Sequence, residues 1–138
     1  MQAQVLNLMR RLQQAHGLTY FFISHNMAVI SHISDRVGVM YLGRIVEQGT
    51  VEAIFSRPAH PYTRLLIAAI PQFDNPSAER EPITGEAPNP MSPPPGCAFA
   101  ARCRYAQPLC QQTSPPVHNL AADHQIECHF PATVAAAI

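Results

Sequence analysis

Four cysteines near the C-terminal end of this 138-residue chain are its strongest candidates for metal chemistry. They are Cys97, Cys103, Cys110 and Cys128, which gives the spacing C-x5-C-x6-C-x17-C. Four thiolates can close a tetrahedral zinc site or hold an iron–sulfur cluster. Structural zinc sites usually use tighter cysteine pairs, whereas wider spacing suits the separated corners of a cluster. The spacing therefore favours an iron–sulfur cluster, with zinc, or free or disulfide-bonded cysteines, as the alternatives.

A histidine at a predicted strand end is the second candidate for chemistry. His25 lies in the sequence FFISHNMAVI, between the apolar run 18–24 and a helix-like run. The apolar run predicts a strand buried on both faces, and open α/β sheets bind ligands beyond the carboxyl ends of such strands. An imidazole there can donate to a phosphate oxygen or position a water. The alternative is a structural histidine, and without a G-x-S-x-G motif a Ser-His-Asp hydrolase is excluded.

The elements that would position these side chains follow the order of an α/β layer. Apolar residues at helical spacing over 2–16, followed by Gly17, predict a helix with a glycine cap. A second helix is predicted over about 27–33, capped by Asn26 or Ser24. The other predicted elements are a strand over 36–42, a turn at Gly43, a strand over 44–48, a helix from Thr50 through Phe55, and a helix from Pro61 that stops before Pro71. This order predicts helices on a mostly parallel sheet, followed by a hairpin.

The composition divides the chain into four parts. Residues 1–70 carry the predicted helices and strands. Residues 71–95 contain eight of the fourteen prolines and predict an extended linker. All four cysteines follow it, so residues 96–131 are predicted to be a small separate unit, and residues 132–138 a tail.

Charge and hydropathy limit the classes of partner. The nine arginines balance the nine acidic residues, and the chain contains no lysine, so nothing indicates a nucleic-acid partner. No apolar run approaches a membrane span, and the N-terminal residues lack the features of a signal peptide. We therefore expect a cytosolic location, where cysteines more often bind metals than form disulfides.

Residues 18–71 closely resemble the C-terminal part of the ATP-binding subunit of ABC transporters, in the dipeptide and oligopeptide importer branch. The likeness lies in FFISHN, in the hairpin VGVMYLGRIVEQG and in HPYTRLLIAAIP. In this family a strand ending in Ser-His leads into a switch histidine, which contacts the γ-phosphate of ATP held between two subunits. The resemblance assigns that role to His25. Asn26 stands where the family usually has Asp.

The cysteine segment resembles the C-terminal extension of the same ATPases, through PPPGCAFAARCRYAQPLC and the later HQIECH. In some members this extension carries a [4Fe–4S] cluster on four cysteines. The resemblance implies a structural or regulatory cluster on Cys97, Cys103, Cys110 and Cys128, with Zn²⁺ as the alternative.

The resemblance also implies cofactors, partners and a location for the full-length protein. These are ATP and Mg²⁺, a second homologous ATP-binding subunit, two membrane permease subunits, and a peripheral position on the cytoplasmic face of the membrane. This chain has no G-x-x-x-x-G-K-[ST] loop, no Asp-Glu pair and no SGGQ-like signature. We therefore expect the C-terminal portion of a longer transporter ATPase, inactive alone. The rival hypothesis is a stand-alone metal- or iron–sulfur-binding module with an interaction or regulatory role.

Overall fold

The structure is a computed structural model that describes residues 2–70, 85 and 88–131. The chain divides into two compact units, Met1–Asp35 and Arg36–Ile138. Most of the predicted linker over 71–95 and the whole predicted tail over 132–138 lie outside the described residues. The four-part division of the chain therefore stays a prediction. Within the described part of the chain, no helix is both long and apolar enough to span a membrane.

The first unit contains two helices whose ends were predicted from local residue types. Helix α1 spans Gln2–His16, and Gly17 follows with a φ of +63°. The N–H of Leu18 donates to the carbonyl of Gln13 at 3.2 Å, which closes the helix with a Schellman motif. Helix α2 spans Met27–Ile33, and Asn26 caps it by accepting the Val29 N–H at 3.3 Å. Both helices and the Asn26 cap are confirmed.

The segment 18–24 corrects a prediction. It was predicted to be a buried strand, but it is irregular, and Phe21 and Ile23 are 91% and 90% exposed. A parallel strand needs partners on both edges and cover on both faces, and none of the described residues pairs with this segment. An apolar, β-branched sequence shows that a segment suits a sheet, but it cannot supply the neighbouring strands.

The second unit contains a four-stranded sheet formed entirely by described residues, in the order β1-β2-β4-β3. Its strands are β1 (Arg36–Tyr41), β2 (Arg44–Thr50), β3 (Val117–Ala121) and β4 (His124–Glu127). The presence of both helices and strands confirms the predicted α/β class. All strand pairings are antiparallel, so the prediction of a mostly parallel sheet is wrong for these residues. Two-residue turns join β1 to β2 and β3 to β4, and such turns are too short for a parallel crossover.

The turn between β1 and β2 explains why the hairpin prediction is confirmed. Leu42 and Gly43 have φ angles of +45° and +79°. Positive φ at both central residues is typical of a type I′ turn, whose twist matches that of the paired strands.

Helices pack against this sheet around one hydrophobic core. They are α3 (Val51–Ser56), α4 (Pro61–Ala68), a 3₁₀ turn (Ala100–Arg102) and α5 (Pro108–Gln112). Thr50 caps α3 by accepting the Ala53 N–H at 3.2 Å, as predicted. Phe99, only 1% exposed, packs its ring centroid 5.2 Å from that of Tyr41 and 5.4 Å from that of Tyr62. The cysteine-bearing segment therefore shares its core with the β1–β2 hairpin and α4.

The sheet connects the same two parts of the chain. Strand β4 comes from the cysteine-bearing segment, yet it pairs with β2 through Glu47 opposite Ile126 and Gly49 opposite His124. A β-carbon on Gly49 would lie 3.0 Å from the Asp123 carbonyl oxygen, so the glycine permits this close approach. Residues 96–131 are thus joined to the hairpin by backbone pairing as well as by the core.

Candidate functional site

His25 lies in the first unit, at the junction between the extended segment and α2. Its side chain is exposed and makes no hydrogen bond to any described residue. The residues on either side are held locally, because the Ser24 hydroxyl accepts the Asn26 N–H at 3.0 Å and Asn26 in turn caps α2. The backbone around His25 is therefore fixed, while its imidazole is available to a ligand.

The four cysteines lie in the second unit and are brought together around one cavity of about 20 Å³. All four are free thiols. Cys97 and Cys103 flank the 3₁₀ turn, Cys110 lies in α5, and Cys128 directly follows β4. The predicted role of these four cysteines as metal ligands stays a prediction.

A close backbone contact holds the first and third cysteines together. The N–H of Cys97 donates to the carbonyl oxygen of Cys110 at 2.7 Å. Gly96 makes this approach possible, because a β-carbon at that position would lie 2.2 Å from the same oxygen. The segment before the 3₁₀ turn thus lies directly against the backbone of α5.

Backbone amides interact with three of the four cysteines. The Cys128 sulfur accepts a hydrogen bond from the N–H of Phe130, and the backbone N–H groups of Phe99 and Tyr105 act to lower the pKa of Cys97 and Cys103. The Phe130 nitrogen lies 3.4 Å from the Cys128 sulfur. Hydrogen bonds from backbone amides favour the thiolate form of a cysteine.

Burial favours the neutral form of three of the thiols that line the cavity. Burial raises the pKa of Cys103 to about 11 and also raises the pKa of Cys97 and Cys128, despite the amide hydrogen bonds. A metal would therefore have to displace protons from these sulfurs. Among the described residues, no three His, Cys, Asp or Glu side chains form a group arranged to hold a metal ion. Four thiols are the donor types of a thiolate-bound centre, whereas the cavity has room for only one water-sized body.

His60 lines the same cavity and directly precedes the helix predicted from Pro61. Its Nδ1 caps α4 by accepting the Tyr62 N–H at 3.1 Å. The side chain is also 2% exposed, and burial lowers its pKa to about 4. Nothing in the sequence places this histidine beside the cysteines, since a helix cap is a local feature whereas the cavity depends on the fold.

Glu47 is a second buried polar residue that the sequence did not reveal. It lies on β2 and is 1% exposed. Its carboxylate accepts the N–H groups of Ala59 and His60, each at 2.8 Å, and lies 2.6 Å from Nε2 of His124. A carboxylate can accept hydrogen bonds from several donors at once. Glu47 uses this capacity to hold the backbone of the loop that carries His60.

Comparisons with known proteins place these features in a family. Residues 46–110 match the family model described as "Oligopeptide/dipeptide transporter, C-terminal region". The chain is 56% identical over 119 residues to the dipeptide transport ATP-binding protein DppF of Escherichia coli, covering 85% of this chain and 35% of that protein. It is 49% identical over 137 residues to the probable peptide ABC transporter ATP-binding protein y4tS of Sinorhizobium fredii, covering 99% and 39%.

A third relative is less similar in sequence. The chain is 44% identical over 132 residues to the oligopeptide transport ATP-binding protein AppF of Bacillus subtilis, covering 94% of this chain and 40% of that protein. The chain thus spans about two fifths of the length of the relatives it matches. It belongs to the family of dipeptide and oligopeptide ABC transporter ATP-binding proteins, whose C-terminal region it matches.

Proposed function

We propose that this chain is part of the ATP-hydrolysing subunit that energises import of dipeptides or oligopeptides across the membrane. In the whole protein, ATP and Mg²⁺ would lie between two homologous subunits, and closure would be passed to two membrane permease subunits. The subunit would lie on the cytoplasmic face of the membrane. The relatives are named for ATP binding and peptide transport, and they align with nearly the whole chain.

Within that subunit, His25 would be the residue that senses the γ-phosphate. The observation that carries this proposal is an exposed imidazole on a locally fixed backbone, between the extended segment and the Asn26-capped helix. A neutral or charged imidazole can donate to a phosphate oxygen and stabilise the charge that develops as phosphate passes to water. The chain contains no lysine and so no phosphate-cradling loop, which means that the phosphate cradle has to come from residues outside this sequence.

A chimera tests this role. This chain would replace the aligned 119 residues of Escherichia coli DppF, and ATP hydrolysis by the purified chimera would be measured. His25→Ala is expected to lower the rate by roughly a hundredfold or more, the usual scale for a positioned proton-transfer or hydrogen-bonding group. His32→Ala, at an exposed position on α2, is the matched control and is expected to leave the rate unchanged. Equal rates for the two variants would reject the switch role.

We further propose that the four-cysteine cavity holds a metal centre, with a [4Fe–4S] cluster preferred over Zn²⁺. Cys97, Cys103, Cys110 and Cys128 would be its ligands. When bound, the centre would supply covalent links between the 3₁₀ turn, α5 and the end of β4, a structural or regulatory role. The four thiols that line one cavity, with backbone amides that favour the thiolate form of three of them, support this proposal.

The nature of the centre can be decided on the 138-residue chain itself. Anaerobic purification would be followed by iron, sulfide and zinc assays and an absorption spectrum. Four irons and four sulfides per chain are expected for the cluster. Stoichiometric zinc without iron would reject the cluster in favour of the zinc alternative, and a metal-free chain after reconstitution with either would reject the centre.

The rival function is a stand-alone metal-binding module, which is favoured by the core that the hairpin and α4 share with the cysteine-bearing segment. That function predicts metal binding by the chain together with an inactive chimera. An active chimera that depends on His25 would decide for the transporter ATPase.

A further inference from the structure

Two of the four cysteines are held close together by the main chain. The N–H of Cys97 donates to the carbonyl oxygen of Cys110 at 2.7 Å, which joins the segment before the 3₁₀ turn to α5. Both residues carry free thiols, and both line the same cavity. The pair therefore combines a short main-chain contact with two sulfur-bearing side chains that border one small space.

The main-chain contact limits the distance between the two α-carbons. The 2.7 Å hydrogen bond and the bond lengths within the two residues place these atoms no more than about 6.6 Å apart. Disulfide-bonded cysteines usually have α-carbons about 4.4–6.8 Å apart. Gly96 permits the approach, because a β-carbon at that position would lie 2.2 Å from the Cys110 carbonyl oxygen. The separation of Cys97 and Cys110 thus does not exceed the range that a disulfide bond requires.

The size of the cavity agrees with a bond between two of its thiols. Its volume of about 20 Å³ leaves room for one water-sized body. A disulfide adds no atom to this space, since it joins two sulfur atoms that are already present. It also needs only two side chains, whereas the part of the chain that the structure describes has no group of three His, Cys, Asp or Glu arranged to hold a metal ion.

We propose that Cys97 and Cys110 form a reversible disulfide bond, with a small-molecule disulfide such as oxidised glutathione as the oxidant. Cys97 is partly exposed and reacts first: its thiol loses a proton, its sulfur attacks the oxidant, and one glutathione thiol leaves. Buried Cys110 then loses its proton, and its sulfur displaces the second glutathione thiol from Cys97. Two protein thiols are oxidised to one disulfide, one small disulfide is reduced to two thiols, and the two protons pass to the glutathione sulfurs.

The bond would close a loop that contains the 3₁₀ turn and would join that loop covalently to α5. In a reducing compartment such bonds are typically transient or redox-sensing, so the oxidised form is expected to respond to the thiol–disulfide balance. The inference does not rest on the proposed metal centre. It uses two of the same sulfurs, so a chain that carries the disulfide cannot bind a metal through all four cysteines.

Peptide mapping of the 138-residue chain tests the pairing. The chain would be freed of metal with a chelator under reducing conditions and then equilibrated, in native buffer, with mixtures of reduced and oxidised glutathione. Remaining thiols would be alkylated. Trypsin cleaves after Arg102 and Arg104, and Glu-C cleaves after Glu127, so each of the four cysteines falls on a separate peptide. Mass spectrometry without reduction would identify which peptides are linked.

The expected result is a link between the Cys97 and Cys110 peptides, with the other two cysteines alkylated. The same chain in urea is the control, because short loops close most readily in an unfolded chain and favour links to Cys103. Cys103→Ser is expected to keep the Cys97–Cys110 link in native buffer, whereas Cys110→Ser is expected to lose it. Circular dichroism would establish that each variant folds, and the wild-type map needs neither variant.

The inference is overturned if all four thiols are alkylated at every glutathione ratio, or if Cys97 is linked mainly to Cys103 or Cys128. It is also overturned if the Cys97–Cys110 link is equally abundant in native buffer and in urea, because the fold would then not select the pair. None of these outcomes bears on iron or zinc content or on ATP hydrolysis. The metal centre and the importer role are therefore decided by their own experiments.

Discussion

The carboxylate of Glu47 lies 2.6 Å from Nε2 of His124, and both side chains are buried on the inner side of the β2–β4 pair. The two residues are 77 positions apart in the chain. Because the same carboxylate also accepts the N–H groups of Ala59 and His60, one side chain connects β2, the loop before α4 and β4. This buried hydrogen-bonded group links the hairpin to the cysteine-bearing segment.

Glu47→Ala is expected to destabilise the chain by roughly 3–5 kcal/mol, because it leaves His124 and two backbone N–H groups buried without an acceptor. Urea unfolding followed by circular dichroism would measure the loss. Glu52→Ala, at an exposed position in the first turn of α3, is the control and should cost less than about 1 kcal/mol. Similar losses in the two variants would contradict the central role of Glu47.

An exposed ion pair on the same strands gives a contrasting prediction. Arg36 Nη1 lies 2.8 Å from Asp123 Oδ1, and both side chains are more than half exposed. Solvent screens such a pair, so Arg36→Ala is expected to cost no more than about 1 kcal/mol. Unfolding measured in low and high salt should show that this small difference shrinks as salt rises. A loss of stability as large as that of Glu47→Ala would show that the exposed Arg36–Asp123 pair contributes as much as the buried Glu47–His124 pair.

His60 predicts how stability depends on pH. Burial lowers its folded pKa from 6.5 to about 4, so the unfolded chain binds the proton more readily. The contribution of the neutral, buried His60 to the free energy of unfolding is fully present above pH 6.5. Roughly 3 kcal/mol of stability is lost as the pH falls through 6.5 to below 4. Unfolding free energies of the metal-free chain between pH 7 and 4 would be compared with those of His60→Asn, which keeps a cap but does not titrate. Parallel curves for the two chains would contradict the assignment.

Local features of the fold could be predicted from sequence, because the residues that cause them are neighbours. Gly17 ends α1, Asn26 caps α2, and Leu42 with Gly43 turns the chain between β1 and β2. The strand predicted over 18–24 failed because pairing depends on segments that the local sequence does not specify.

The candidate site divides in the same way. The four cysteines are predicted as ligands from residue type and spacing, and His25 as the switch residue from the family resemblance, and both roles stay predictions. The roles of His60 and Glu47 could not be predicted, since their partners are distant in sequence and a glutamate on a strand resembles a solvent-exposed residue until the fold buries it.

Gly96→Ala gives a steric test of the cavity. The added β-carbon would lie 2.2 Å from the Cys110 carbonyl oxygen, so the segment bearing Cys97 would have to move away from α5. We expect a loss of about 1–3 kcal/mol in stability, typical of overpacking, and weaker metal uptake because two ligands are separated. Gly38→Ala is the matched control, since its nearest contact is a side-chain carbon of Ile45 at 3.4 Å. Unfolding and metal titration of both variants would decide, and undiminished metal uptake by Gly96→Ala would show that the Cys97–Cys110 contact is dispensable for the centre.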